Sequence, residues 1–194
     1  MHHNRTLIIF GFSGSGKSTV AARVAKKFGL RVIHPSSIVR SLVEGKKVDM
    51  RRTKAGTGFW ESDRGVRLFK DRLRKREPID TVSDKLLQKE LARGNVVMDS
   101  WSMPWLSARG VKIYLRASRA ERVRRVAKRS GVSLERARKT VRLKDESTRK
   151  LYRRLHGFDI QKDVQVFDMI IDTTDLSLTE SVGAVIDFLK KNDF

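Results

Sequence analysis

Residues Gly11-Phe12-Ser13-Gly14-Ser15-Gly16-Lys17-Ser18 spell G-x-x-x-x-G-K-[ST] without a departure. That spelling holds phosphate for physical reasons. Gly11, Gly14 and Gly16 let the backbone turn and approach a ligand where a Cβ would stand in the way. Successive N–H groups then face one concavity and hold phosphate oxygens. The helix that the loop opens adds partial positive charge at its N-terminus. Ser13, Ser15 and Thr19 complete the expected nucleotide-binding set. Lys17 is expected to reach the β- and γ-phosphates of ATP. The Ser18 hydroxyl is expected to ligate Mg²⁺.

Two further features could act on the same phosphates. Asp99 follows the short apolar run Val96-Val97-Met98. An acid at such a strand end holds Mg²⁺, directly or through water. The alternative is a turn or cap residue, since Asp99-Ser100 precedes a loop. Arg122, Arg125 and Arg129 follow an i, i+3, i+7 spacing that a helix gathers on one face. Guanidinium groups there could close over a transferring phosphoryl group and neutralise its charge. The alternative is a solvated face with pairs such as Glu121–Arg125.

Strands alternating with helices must position these groups. Leu7–Phe10 is a continuous apolar run before the loop, the pattern of a buried parallel strand. Val20, Ala21, Val24, Ala25 and Phe28 then fall at helical spacing, and Gly29 closes the helix. Arg31–His34, Val96–Met98, Val111–Leu115 and Phe167–Ile171 read as four more strands. Ser83–Arg93, Ala120–Lys128 and Leu178–Lys190 read as helices between them. The alternation predicts βαβ units and a mainly parallel sheet. Lys46–Arg76 and Arg116–Arg154 do not fit the core pattern. They read as basic lobes or flaps attached to the sheet, the first of them loop-like around Gly56, Gly58, Phe59 and Trp60.

The chain has 194 residues, with 43 Lys and Arg against 22 Asp and Glu, a formal net charge of +21. The length fits one domain with inserted lobes. The charge points to anionic partners: phosphorylated small molecules, nucleic acid or an acidic surface. No apolar run approaches the roughly 18 residues of a membrane-spanning helix. The first residues do not read as a signal peptide. Cysteine is absent, which excludes thiolate nucleophiles and Cys zinc sites. A cytoplasmic protein without membrane contact is expected. His2 and His3 are given no role, and His34 and His156 are left as structural.

Taken together, the motifs resemble the nucleoside monophosphate kinases, and more closely the archaeal-type cytidylate kinases. The residues that carry the resemblance run along most of the chain. They are the loop Gly11–Thr19, Arg40 after the second strand, and Glu77-Pro78-Ile79-Asp80 followed by Asp84. Further along come Gly94-Asn95-Val96-Val97, Arg122–Arg129 before Gly131-Val132-Ser133, Tyr152, Gly157–Ile160 and Phe167–Thr173. The resemblance implies an α/β fold: a P-loop NTPase of three α/β/α layers around five parallel strands. It implies one nucleotide-kinase-like domain over 1–194, with a substrate lobe at about 36–93 and a lid at about 117–155. It implies transfer of the ATP γ-phosphoryl group to CMP or dCMP with Mg²⁺. Lys17, Arg122, Arg125 and Arg129 then become catalytic, and Ser18 and Asp99 hold the metal. Arg40 would bind the acceptor's phosphate, and Asp80 or Asp84 would face its nucleoside.

The sequence departs from the family around the acceptor. Ser37 stands where the family has Asp, and Asp99-Ser100-Trp101 where it has an acid followed by Gly-Arg. Trp101 and Trp105, and the Phe59-Trp60 pair, could stack on the acceptor's base. Trp101, Trp105 and Trp60 could equally fill gaps between lobe and sheet. Three other functions stay open: a kinase for another small acceptor, a kinase for an RNA 5′ end, and an RNA- or ribosome-associated P-loop ATPase. Sixteen Lys and Arg in Arg116–Arg154 exceed what a few phosphates require, and that surplus motivates the RNA contact.

Overall fold

The computed structural model describes residues 5–56, 58–74 and 79–194. Its chain order is β1 (Thr6–Phe10), α1 (Lys17–Phe28), β2 (Arg31–Ile33), α2 (Pro35–Val43), α3 (Asp63–Arg74) and α4 (Ile79–Arg93). Then come β3 (Val96–Asp99), α5 (Met103–Leu106), β4 (Val111–Arg116), α6 (Arg119–Ser130), α7 (Leu134–His156), β5 (Met169–Asp172) and α8 (Leu178–Lys191). The five strands are parallel, in the spatial order β2-β3-β1-β4-β5.

This order follows from burial. Every residue of β1 is buried, as expected of a central parallel strand covered on both faces. Leu7 and Ile9 face one layer with Val20, Val24, Val185 and Leu189 of α1 and α8. Ile8 faces the other with Ile38, Leu87 and Leu91 of α2 and α4. At the carboxyl end of the sheet a third cluster gathers Phe10, Tyr114, Leu151, Tyr152 and Ile160.

The helices start and stop where local chemistry allows. Ser118, Ser133 and Ser177 each accept a hydrogen bond from the backbone N–H three residues on, at the starts of α6, α7 and α8. Ser177 and Glu180 form a reciprocal capping box. Gly29, Gly131 and Gly157 end α1, α6 and α7 in the left-handed region.

Two expectations shift. The last strand begins at Met169 rather than Phe167, because the Phe167 ring turns inward onto Phe10, Trp105 and Tyr114. The basic stretch from Lys46 is less loop-like than expected. Phe59–Glu61 is a 3₁₀ turn, and Asp63–Arg74 is a helix that buries Phe69 and Arg72. The parts of that stretch at 57 and 75–76, with Glu77 and Pro78 of the acidic segment and His2 and His3, lie outside the described residues. Among the described residues no helix is long and apolar enough to cross a membrane.

Candidate active site

Parallel strands bring their carboxyl ends to one edge of the sheet, where ligands of such folds bind. β1 delivers the loop Gly11–Gly16 there, β2 delivers His34, and β3 delivers Asp99. Two loop glycines are required by their surroundings. A Cβ on Gly11 would stand 2.7 Å from the Leu115 carbonyl oxygen. A Cβ on Gly14, at φ +84°, would stand 2.5 Å from the Arg122 carbonyl oxygen. The loop therefore packs directly on α6.

The Ser18 hydroxyl donates to Oδ2 of Asp99, so the two expected metal ligands meet across 81 residues of sequence. His34 Nδ1 lies 2.9 Å from the other Asp99 oxygen. Hard oxygen donors beside a phosphate-binding loop fit Mg²⁺, which takes one or two protein oxygens and completes its shell with water and phosphate. Among the described residues no cluster of three or more His, Asp or Glu could hold a metal by itself.

A cavity of about 510 Å³ extends from this point. One end is lined by Ser13, Gly14, Lys17, Ser18, Thr19 and Asp99. Arg129 of α6 and Lys144 of α7 reach in over them. Burial draws the Lys17 ammonium down to about pKa 8; Asp99 opposes that fall, while Lys144 and Arg129 add to it. Three cations thus crowd beside the phosphate loop, where a bound anion would stabilise them.

The other end is lined by Val39, Trp60, Phe69 and Leu87, with Arg72, Asp80, Ser83, Asp84, Thr148 and Tyr152. Arg72 Nε donates to Asp80 Oδ2 at 2.8 Å, and a second guanidinium nitrogen donates to Oδ1. Burial works against the Arg72 charge, but Asp80 more than offsets it and raises the guanidinium pKa. Asp84 accepts from Ser102 Oγ at 2.7 Å and lies 3.0 Å from His156 Nε2. Burial, with Asp80 nearby, pushes the Asp84 carboxyl up to about 6, against the opposing pull of Ser102 and His156. An apolar slot edged by such polar groups suits a flat, hydrogen-bonding ring.

The structure brings together Ser13, Gly14, Lys17, Ser18, Thr19, Asp99, Trp101, Asp80, Asp84 and Arg129 around this cavity. Gly11, Ser15 and Gly16 shape the loop beside it. Trp101 lines the wall, packed edge-on against Phe10 and Phe12, with Lys17 Nζ 5.4 Å from its ring centre. Trp105 instead fills the aromatic cluster, stacked on Phe158, with its indole N–H on the Asp163 carbonyl. Trp60 is buried against Val39, Phe69 and Ile79 and forms part of the wall.

Three expected arginines stand elsewhere. Arg122 is buried beneath the loop, donating to the Ser13 and Ala117 carbonyls and to Asp145. Arg125 is held by Glu121 and by the Thr173 and Thr174 carbonyls at the end of β5. The expected single face of Arg122, Arg125 and Arg129 therefore divides, because the first two spend their donors on fixed protein acceptors. Arg40 turns onto the Phe59 ring at 3.6 Å and toward Glu44, and it does not line the cavity. Arg72 is the guanidinium that lines the end of the cavity where Asp80 and Asp84 stand. Sequence reasoning missed Arg72, Lys144, Thr148 and the partners of His34 and His156. Only the basic composition around Arg72 and Lys144 hinted at any of them.

The fold and the site together define a P-loop kinase. A profile of the cytidylate kinase-like family matches residues 8–175. A cytidylate kinase of Ignicoccus hospitalis is 32% identical over 171 residues, covering 86% of this chain and 88% of the relative. The chain belongs to the cytidylate kinase-like family. Its architecture recurs in an uncharacterized protein from Eubacterium ventriosum, with a TM-score of 0.66 at 12% identity, covering 97% of this chain and 99% of the other. It recurs also in a shikimate kinase from Bacteroides thetaiotaomicron, with a TM-score of 0.59 at 14% identity, covering 98% and 99%. These two likenesses concern the fold.

Proposed function

We propose that the protein transfers the γ-phosphoryl group of ATP to a pyrimidine nucleoside monophosphate, CMP or dCMP. The observation that carries this is one continuous cavity joining Lys17 and Ser18 to Asp80, Asp84 and Tyr152. It has room for a triphosphate tail at one end and a second nucleotide at the other. The cytidylate kinase relatives support CMP as the acceptor.

The loop N–H groups and Lys17 hold the β- and γ-phosphates. Ser18 and Asp99 would hold Mg²⁺, which would supply positive charge against the phosphates. An acceptor phosphate oxygen is largely ionised at neutral pH, since the second phosphate pKa is about 6. A strong general base is therefore unnecessary. Catalysis rests on in-line positioning and on the cations Lys17, Arg129 and Lys144 around the moving group. Asp80 and Asp84 present acceptors to the base, and Trp101 offers a flat wall. Closure of α6 and α7 over the loop excludes water, the competing acceptor. The test is transfer of labelled γ-phosphate to each monophosphate, with Lys17→Ala as the control that loses it.

A second partner is favoured by one observation. The solvent side of α7 carries Arg138, Lys139, Arg142, Lys150, Arg153 and Arg154, more cation than two nucleotides need. RNA would meet that face. Binding with a steep salt dependence supports the contact, and binding unaffected by salt opposes it.

A further inference from the structure

The two lid cations at the cavity share one carboxylate that comes from the opposite lobe. Glu61 sits in the 3₁₀ turn Phe59–Glu61, with its side chain 1% exposed. Its Oε1 lies 2.8 Å from Lys144 Nζ and 3.3 Å from Arg129 Nη2. Oε2 accepts from Ser130 at 3.5 Å. The main chain is tied to the lid as well. Arg136 donates to the Glu61 carbonyl at 3.2 Å and to Asp63 at 2.6 Å.

This turn belongs to the acceptor end. Trp60, next in the chain, is part of that wall. The turn is fixed against α3, where a Cβ on Gly65 would stand 1.9 Å from the Phe59 carbonyl oxygen. Burial pushes the Glu61 carboxyl up, but Lys144 and Arg129 more than offset it, so the group is held below its ordinary range. A buried ion pair is a poor device for stability alone, since apolar residues of similar volume often serve as well. Its value here lies in direction. It fixes two flexible cationic side chains where the transferred phosphoryl group must pass.

We propose that Glu61 is a positioning residue for phosphoryl transfer, aiming Lys144 and Arg129 from the acceptor lobe. Glu61 itself touches no substrate and moves no proton. Because it adjoins Trp60 of the wall that meets the acceptor, the lid cations are aligned when that wall is. The inference rests on the kinase reading above and adds a residue to it.

The experiment is steady-state transfer from ATP to CMP by the wild type, Glu61→Gln, Glu61→Asp, Lys144→Ala and the double variant Glu61→Gln with Lys144→Ala, with thermal unfolding of each. Misplacement of catalytic groups by about 1 Å costs roughly a hundredfold. Glu61→Gln is expected to lose about that much in kcat. Its KM for ATP stays the same or falls, since a negative charge has left the cation cluster. Glu61→Asp keeps the charge on a shorter arm and loses about tenfold. Glu61→Gln combined with Lys144→Ala loses little more than the worse single variant. A folded Glu61→Gln with wild-type kcat, or one whose only defect is a raised KM for ATP, overturns the proposal. Should Glu61→Gln fail to fold, Glu61→Asp decides: reduced kcat with unchanged KM values supports the proposal, and unchanged kcat overturns it. Wild-type protein that phosphorylates no monophosphate overturns the kinase reading and this inference together. Wild-type transfer with an unimpaired Glu61→Gln overturns this inference alone.

Discussion

His34 Nδ1 stands 2.9 Å from Oδ1 of Asp99, and the other Asp99 oxygen accepts the Ser18 hydroxyl. The sheet order makes this contact. His34 follows β2 and Asp99 ends β3, and the two strands are parallel neighbours. The carboxylate is thus oriented from both sides.

Such outer partners typically set metal affinity by ten- to a hundredfold. His34→Ala should therefore raise the Mg²⁺ concentration needed for half-maximal ADP release by about tenfold. Asp99→Ala should cost more, because it would remove the proposed ligand itself rather than its support. A Mg²⁺ titration of the coupled assay measures both. An unchanged titration in His34→Ala would contradict the role given to that contact.

Arg122 is a structural arginine under the loop. Its pair with Asp145, at 2.7 Å, has both side chains 8% exposed. Removing one partner of a buried pair leaves the other charge unpaired, at a cost of about 3–5 kcal/mol. Arg122→Ala should lose stability on that scale in urea unfolding. A variant as stable as the wild type would show that the pair holds nothing.

Trp105 and Trp101 should separate. Trp105 has its ring centre 4.9 Å from that of Phe158, and its N–H lies 2.7 Å from the Asp163 carbonyl. Trp105→Ala should cost about 3–5 kcal/mol by emptying the aromatic cluster. Trp101→Ala should instead raise the KM for the acceptor in a protein that still folds. Equal stability losses with unchanged KM would place both in the core alone.

Asp84 gives the site a pH dependence. Burial raises its carboxyl from 3.8 to about 6, with Ser102, Asp80 and His156 as its neighbours. For a carboxyl raised on folding, the stabilising proton uptake is complete below pH 3.8 and is lost as pH rises through about 6. Catalysis runs the other way, since the ionised form is the better acceptor for a base's N–H. The KM for CMP should rise as pH falls below about 6, and Asp84→Asn should flatten that dependence. The acceptor phosphate titrates in the same range, so the difference between the two proteins is the measurement. Parallel profiles would exclude Asp84 from acceptor binding.

Local motifs were legible, and distant pairings were not. The loop Gly11–Ser18 declares its strand, turn and helix in one stretch, because its chemistry depends on consecutive N–H groups. Asp99 was legible from the strand that ends there. Arg122, Arg125 and Arg129 share a spacing, yet beyond the local Glu121–Arg125 pair their acidic and carbonyl partners lie mostly outside α6. Asp145 and the Ser13 carbonyl take Arg122, and the Thr173 and Thr174 carbonyls just after β5 take Arg125. Arg40 turns away because Phe59 offers it a ring face. Arg72, Lys144 and Glu61 carry no local signature at all. Each becomes part of the site, or reaches it, only when a lobe folds over the sheet edge. His34 and His156 read as structural because their partners Asp99 and Asp84 are 65 and 72 residues away.

The most direct test is transfer of labelled γ-phosphate from ATP across a panel of all nucleoside monophosphates and a 5′-hydroxyl RNA. The structure-based account predicts label on CMP and dCMP above every other acceptor, and none on any acceptor with Lys17→Ala. Label on the RNA end or on another small acceptor in place of CMP, or undiminished transfer by Lys17→Ala, would contradict it.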